Sequence, residues 1–427
     1  MVARARTTVG ALAVTSLVGY GCLFYAYAVL LGPIARDLGI STTQASFSIT
    51  LCTLGSAVCA VLVGRWIDIR GGRPLMAVGS VAAASLLYVA SRVQNVVELY
   101  AVWAGIGVTW ALVLYEPAFA VIVPRLPPER RGLALLVVTA VGGFASTVFL
   151  PLTGALVSDL GWRTALVWLA VILGVTTVPL HLLAIPRGPA GTRTVHKESP
   201  EDENRKAAPG KGHISQTLRR PRFWLYAVAF TAHSSVITAL GVQLVSILRE
   251  LGHSTAVAAT IAGLIGVLSV TGRLAITALA RWTSPVRTVC ALFGVQAVAL
   301  GLLPYLGSTR TGAVCCVVTV GLGFGLATIT RPALVAEHFG TARFGTVAGM
   351  LNTSIAIGTT TVPLGVAALH GLTGGYRVPV EVCAALFAVA GALLAVSTRS
   401  ARDRALDERG EDLAEVEAGG LDGHRQQ

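Results

Sequence analysis

The segment YEPAF at residues 115–119 returns as TRPAL at residues 330–334. Two further pairs of segments correspond in the same way: RG at 131–132 with FG at 344–345, and GWR at 161–163 with GYR at 375–377. The partners are separated by 213 to 215 residues in all three cases. Because three separate pairs of segments keep nearly the same spacing, we infer that the chain contains two copies of one sequence repeat.

The composition indicates a membrane protein. Of the 427 residues, 54% are hydrophobic and 13% are Asp, Glu, Lys or Arg, against roughly 25% charged residues in soluble domains. These values exclude a disordered chain, a collagen-like chain and an ordinary water-soluble enzyme.

The apolar segments predict an all-α membrane protein with twelve transmembrane helices arranged as two six-helix bundles. Each segment is close to the roughly 20 residues that a span needs, and none shows the ten-residue alternation of a barrel strand. The predicted spans are 9–32, 44–66, 75–91, 96–123, 133–157, 163–185, 222–247, 255–280, 288–306, 311–335, 345–370 and 378–397.

Two charged segments divide the chain into four parts. Residues 186–221 contain five prolines and the run KESPEDENRK at 197–206, which cannot bury an apolar face. We therefore predict a first half (1–185), a cytoplasmic linker (186–221), a second half (222–397) and a cytoplasmic tail (398–427).

The positions of the basic residues predict the orientation. Cytoplasmic loops of membrane proteins carry an excess of Lys and Arg. With the N-terminus inside, that side receives the linker and most arginines of the loops, whereas each outer loop holds a single arginine. We expect both termini in the cytoplasm and the protein in the plasma membrane. The net charge of +12 is then a topology signal and needs no nucleic acid partner.

The chain lacks the usual sequence signatures of catalysis. All seven cysteines lie in apolar segments without a CxxC pair, so we expect neither a disulfide framework nor a metal site. The sequence contains no HExxH, no GxSxG and no Gly-Lys-Ser/Thr phosphate loop. We therefore predict that the protein is not an enzyme or an ATP-driven pump, and that it uses no cofactor.

The loop after the second span reads GRWIDIRGGR at residues 64–73. Together with two parallel six-helix repeats, this loop resembles the major facilitator superfamily over residues 9–397. Gly64, Asp68, Gly71 and Arg73 match the family motif, whereas two of its arginines are replaced. The resemblance implies alternating access and a conformational latch at this loop. Physically, Asp68 can interact with a helix N-terminus of the other half; the alternative is a simple positively charged turn.

Within that superfamily, the chain resembles the bacterial relatives of monocarboxylate and oxalate/formate carriers. The resemblance rests on residues 21–33, 115–117 and 272–273. Two features depart from it: Ser269 stands near the place of an expected acidic residue, and the eleventh span has no lysine.

Glu116 and Arg331 occupy equivalent positions of the two repeats, on the fourth and tenth spans. A charge at membrane depth costs about 2.5–3.5 kcal/mol on insertion scales, so it favours a functional interpretation. We expect the two residues to pair across the pseudo-two-fold axis. Such a pair serves either as a gate or as a substrate- and proton-binding site.

Four further residues are candidates for substrate binding or proton coupling. Arg273 in the eighth span either holds a carboxylate or extends to the headgroups, and His233 in the seventh either carries a proton or bonds a neighbouring hydroxyl. Tyr25 in the first span either lines the cavity or packs. Asn352 belongs to a polar stripe on the eleventh span.

These features predict a secondary transporter that acts by alternating access. The expected cargo is a small organic solute, and two arginines (Arg331 and Arg273) opposed by one glutamate (Glu116) favour a carboxylate-bearing anion. We expect its transport to be coupled to protons, with coupling to a gradient of the solute itself as the alternative. The alternative is export of a drug or secondary metabolite, which the aromatic first span favours. The expected partners are the solute, the bilayer and protons, and the expected state is a monomer.

Overall fold

The computed structural model describes residues 2–188, 217–265, 268, 285–324 and 326–397. These residues are almost entirely helical, and ten of their helices are long and apolar enough to cross a membrane. The linker between 189 and 216, the tail from 398 onward and most of the predicted eighth span lie outside the described residues.

The first half contains eight α-helices. In chain order they are α1 (Val2–Tyr20), α2 (Ala26–Asp37), α3 (Thr42–Arg70), α4 (Arg73–Ala90), α5 (Val96–Val113), α6 (Tyr115–Ile122), α7 (Pro128–Gly143) and α8 (Ala145–Ala184). A π-helical turn (Gly21–Tyr25) joins α1 to α2, so all three form the first span.

The described residues of the second half form seven α-helices. They are α9 (Pro221–Glu250), α10 (Thr255–Ile265), α11 (Pro285–Leu306), α12 (Arg310–Phe324), α13 (Leu326–Phe339), α14 (Phe344–Thr373) and α15 (Arg377–Ser397). Of these, α10 is the beginning of the predicted eighth span.

The apolar stretch of α7 and α8 contains two spans. It runs for 57 residues from Pro128 to Ala184, nearly three times the length that one span needs. Gly161 interrupts it with a φ of 77°, a backbone conformation that favours glycine. The described residues thus account for eleven of the twelve predicted spans, and the eighth stays a prediction beyond Ile265.

The bundle has two ends that differ in packing. The linker end is the one at which α8 finishes and α9 begins, and the distal end is opposite. At the linker end one apolar core contains side chains of both halves, among them Ile67, Phe119, Phe230 and Phe344. Two other cores lie towards the distal end, one built from residues 18–173 and one from residues 236–387.

Helices α3 and α14 bring the two halves into close contact. A Cβ added to Gly64 would overlap the backbone carbonyl of Gly345, and one added to Gly349 would overlap that of Ala60. One turn further on, the Thr353 hydroxyl donates to the Ala57 carbonyl at 2.9 Å. Small residues permit this approach, as at many helix interfaces in membranes.

Candidate functional site

The helix of the fourth span is interrupted at Leu114, two residues before Glu116. Leu114 has a ψ of −152° and separates α5 from α6. Pro117 favours a break here because it has no N–H and its ring collides with the carbonyl four residues earlier. Glu116 therefore lies in the first turn of α6, where the helix dipole stabilises a negative charge.

Glu116 and Arg331 form an ion pair between the two halves. The Arg331 Nη2 donates to Glu116 Oε1, and the two side chains are 17% and 25% exposed, respectively. The pair expected from the repeat is present. It joins α6 to α13 at a point that is partly shielded from water, where electrostatic attraction exceeds that of a surface pair.

Tyr20 and Tyr115 pack against each other close to this ion pair. The rings of Tyr20 and Tyr115 lie 4.4 Å apart, and Tyr20 is within electrostatic range of Tyr25, Glu116 and Arg331. Tyr25 ends the π-helical turn, an element frequent at functional sites. Tyr115 was not among the predicted site residues, although its position beside Glu116 was a usable signal.

Asn352 shares a small void with Glu116. The void lies between the halves, is lined also by Gly64, Gly345 and Gly349, and has room for about one water molecule. The structure thus brings Asn352, Glu116 and the helix contact of α3 with α14 into one region.

Asp68 of the first half binds the N-terminus of α14 in the second half. Its Oδ1 accepts from the Gly345 N–H at 2.9 Å, and its Oδ2 accepts from the N–H and the hydroxyl of Thr346, both at 2.7 Å. The N-cap residue of α14 is Arg343, which makes no side-chain cap of its own. Asp68 therefore acts as the missing cap from across the interface.

The other residues of the motif shape the turn that carries Asp68. Gly71 ends α3 with a φ of 83°, and a Cβ there would overlap the Gly188 carbonyl. Arg73 begins α4 and is half-buried. The sequence did not identify Thr346 as the partner of Asp68; the lack of an Asp, Ser, Thr or Asn cap on α14 was the available signal.

One candidate lies apart from this cluster, and another is outside the described residues. His233 is buried inside the second half, where its Nε2 bonds Gln296 Oε1 at 3.1 Å and its ring stacks on Phe293 at 4.1 Å. These contacts are with α11, which carries neither member of the ion pair. Arg273 lies outside the described residues.

A family comparison decides the class of the protein. The model of the Major Facilitator Superfamily matches residues 12–363. The chain belongs to the major facilitator superfamily. It is therefore a multi-pass membrane transporter and not an enzyme.

Three proteins with similar sequences illustrate the range of relatives. Monocarboxylate transporter 13 of Bos taurus is 28% identical over 82% of this chain and 76% of its own length. The oxalate:formate antiporter of Oxalobacter formigenes is 23% identical over 74% of each chain. An MFS-type efflux pump of Mycolicibacterium smegmatis is 30% identical over 64% of this chain and 62% of its own.

Solved structures show the same fold. A bacterial homologue of the iron transporter ferroportin, in an outward-facing state, superposes with a TM-score of 0.74. The match covers 92% of this chain and 99% of that one at 16% sequence identity.

Proposed function

We propose that this protein is a secondary active transporter for a small organic solute that carries a carboxylate, working by alternating access and coupled to protons. The observation that carries the proposal is the Glu116–Arg331 ion pair, which joins the two halves beside Tyr20 and Asn352. The names of the monocarboxylate and oxalate:formate relatives agree with this substrate class.

The ion pair can exchange its partner for a substrate. An arginine fork binds a carboxylate through two parallel hydrogen bonds, so a solute carboxylate competes with Glu116 for Arg331. Protonation of Glu116 removes its negative charge and weakens its hold on Arg331. Solute binding and proton binding would thereby support each other, which is what proton symport requires.

Asp68 would hold the linker end closed during part of the cycle. Opening that end must break its three hydrogen bonds to Gly345 and Thr346 as well as the ion pair. The same two contacts can form again once the solute has left. In this proposal, Gly64, Gly71 and Arg73 shape the latch, and Asp68 is its bonding group.

The orientation follows from the arginines of the loops. We propose that both termini and the linker are in the cytoplasm. We also propose that the protein is a monomer in the plasma membrane. The closed linker end then faces the cytoplasm, and the site is reached from the distal, outer side. Arg273 as a carboxylate ligand and His233 as a proton carrier are further parts of the proposal.

Aromatic residues favour a second candidate function, the export of an amphipathic drug or metabolite. The Phe24 ring contacts Trp110 at 5.5 Å and Tyr20 at 6.3 Å, and Phe24 is 41% exposed. Such rings can bind an apolar solute. The efflux pump among the relatives agrees with this alternative.

A ligand-stability screen distinguishes the two functions. We would measure the thermal unfolding of the purified protein with small carboxylic acids, with their uncharged amides and with lipophilic drugs. A ligand at a hundred times its Kd adds about 2.7 kcal/mol to the free energy of unfolding. We expect stabilisation by acids and not by amides, and its loss in Arg331→Gln.

Arg377→Gln serves as the matched control, since Arg377 lies on α15 at the distal end and bonds Tyr305 and Glu381. Its response to acids should equal that of the wild type. Stabilisation by drugs alone, unchanged in Arg331→Gln, would reject the carboxylate function in favour of export.

A further inference from the structure

Arg222 at the start of α9 has buried hydrogen-bond donors without acceptors. Among the arginines of the described residues it is the one whose buried Nε and Nη2 make no hydrogen bond. Other partly buried arginines have acceptors: Arg125 donates to two carbonyls, and so does Arg131. Arg222 therefore differs from its peers in lacking the partner that burial of a charge requires.

The two unpartnered atoms form one binding edge. In a guanidinium group the Nε–H and one Nη–H point in the same direction, and this edge matches two oxygens of a carboxylate or phosphate. A single acceptor such as a backbone carbonyl would leave half of it unpaired. The geometry thus favours an oxyanion with two oxygens.

The nearby groups are polar but do not neutralise the charge. Arg222 is within electrostatic range of Tyr226 and His338, which bond each other at 3.1 Å. Glu337 also interacts electrostatically with Tyr226 and His338. Its side chain is exposed, however, and among the described residues it forms no ion pair with Arg222. The first turn of α9 contains no acidic residue either.

The position of Arg222 favours the headgroup layer of the membrane. The next exposed side chain, Trp224, is 51% exposed, and its Nε1 donates to the Leu218 carbonyl at 2.8 Å. Tryptophan side chains are enriched where hydrocarbon meets water. Basic pockets between spans at that depth bind phospholipid headgroups.

We propose that the Nε–Nη2 edge of Arg222 binds a phosphate oxyanion and that a phospholipid headgroup supplies it. The site is on the second half and at the linker end, and it is separate from the Glu116–Arg331 pair. Its occupation would add stability to the junction of α9, α13 and α15, which carry Tyr226, His338 and Ser397.

The test uses the full chain purified in detergent and supplied with one of three additives. They are phosphatidylglycerol, diacylglycerol with the same acyl chains and no phosphate, and glycerol 1-phosphate without chains. The readout is the midpoint of thermal unfolding. We expect phosphatidylglycerol to raise it by about 2–4 °C more than diacylglycerol, the size of shift that about 1 kcal/mol gives a domain of 150–250 residues.

Arg222→Gln should abolish this difference between the two lipids, and Arg222→Lys should reduce it because lysine lacks the fork. Arg219→Gln, which removes an exposed arginine from the preceding segment, should retain it. If Arg222→Gln does not fold, a reduced difference between the two lipids in Arg222→Lys tests the proposal instead.

Three results would overturn the proposal. An equal lipid difference in wild type and Arg222→Gln would show that the headgroup binds elsewhere. A full shift with glycerol 1-phosphate alone would keep the oxyanion site and reject the lipid as its source. If phosphatidylglycerol and diacylglycerol gave the wild type the same unfolding midpoint, Arg222 would bind no headgroup, and its partner would be a group of the protein.

Discussion

Among the described residues, the polar contacts that cross from one half of the protein to the other lie on the side of the linker end, whereas the polar contacts of the distal end stay within each half. Glu116–Arg331, Asp68–Thr346 and Thr353–Ala57 all cross the interface. The distal ion pairs Asp37–Arg163 and Arg377–Glu381 and the distal contact Glu250–His370 each belong to one half. The apolar cores follow the same division, with a shared core only at the linker end of the described structure.

This difference shows how one sequence repeat gives two unlike ends. Asp37 and Glu250 stand at corresponding places, each as the last residue of a helix, and both bond within their own half. Glu116 and Arg331 also correspond, but they carry opposite charges and therefore attract each other across the axis. One residue of opposite charge in one of the two repeats is thus enough to give an ion pair between the halves.

The largest effect is expected from reversing one charge of the crossing pair. Glu116→Arg places two guanidinium groups together, and removing one partner of a partly buried pair costs about 3–5 kcal/mol. Solute uptake into proteoliposomes should fall at least a hundredfold, and the double variant Glu116→Arg with Arg331→Glu should recover part of it. Equal loss in the single and double variants would contradict an energetic coupling between the two residues.

Neutralising the latch should have the next largest effect. Asp68→Asn keeps one oxygen acceptor but loses charge-assisted hydrogen bonds, each worth about 1.5–3 kcal/mol. We expect the linker end to open more often, measured in a variant without native cysteines as faster labelling of a cysteine introduced at Ala348, which lines the void between the halves. Asp37→Asn is the control at the distal end and should leave this labelling rate unchanged.

A methyl group at the helix contact should have a comparable or smaller effect. Gly64→Ala puts a Cβ against the Gly345 carbonyl, and overpacking of this kind costs about 1–3 kcal/mol. The midpoint of thermal unfolding should fall. Gly132→Ala is the matched control, because a Cβ there has open space; it should be neutral or slightly stabilising.

The smallest effect is expected at the distal end. Asp37→Asn removes the charge from an ion pair with Arg163 whose Asp37 and Arg163 side chains are 45% and 40% exposed, and such pairs contribute about 0.2–1 kcal/mol. Unfolding should shift slightly and uptake should stay near the wild-type value. A loss of uptake as large as that of Glu116→Arg would remove the distinction between the ends.

The fold was predictable from the sequence because repetition and hydrophobicity act over long segments. The interruptions within individual helices were less predictable. Pro117 signalled a weak point in the fourth span, but the π-helical turn at Gly21–Tyr25 contains no proline and depends on packing, since a Cβ on Gly21 would overlap the Phe149 ring.

For the candidate site, the charged pair was predictable and its surroundings were not. Equal positions in the two repeats identified Glu116 and Arg331 as partners. His233 could not be placed in the same way, because a helix buried on several faces gives no pattern that tells the cavity from the interior of one half. Only contacts between distant segments, such as His233 with Gln296, supply that information.

The central claim is that Asp68 and the ion pair close the linker end while the distal end is open. Its most direct test is a pair of spin-label distances, one across each end, in a variant without native cysteines. Labels at Arg130 and Ala342 report on the linker end, and labels at Arg36 and Arg249 report on the distal end; all four positions are exposed.

When Asp68→Asn is added, the account predicts that the linker-end distance lengthens and the distal distance shortens. Unchanged distances, or a change of the same sign at both ends, would contradict it.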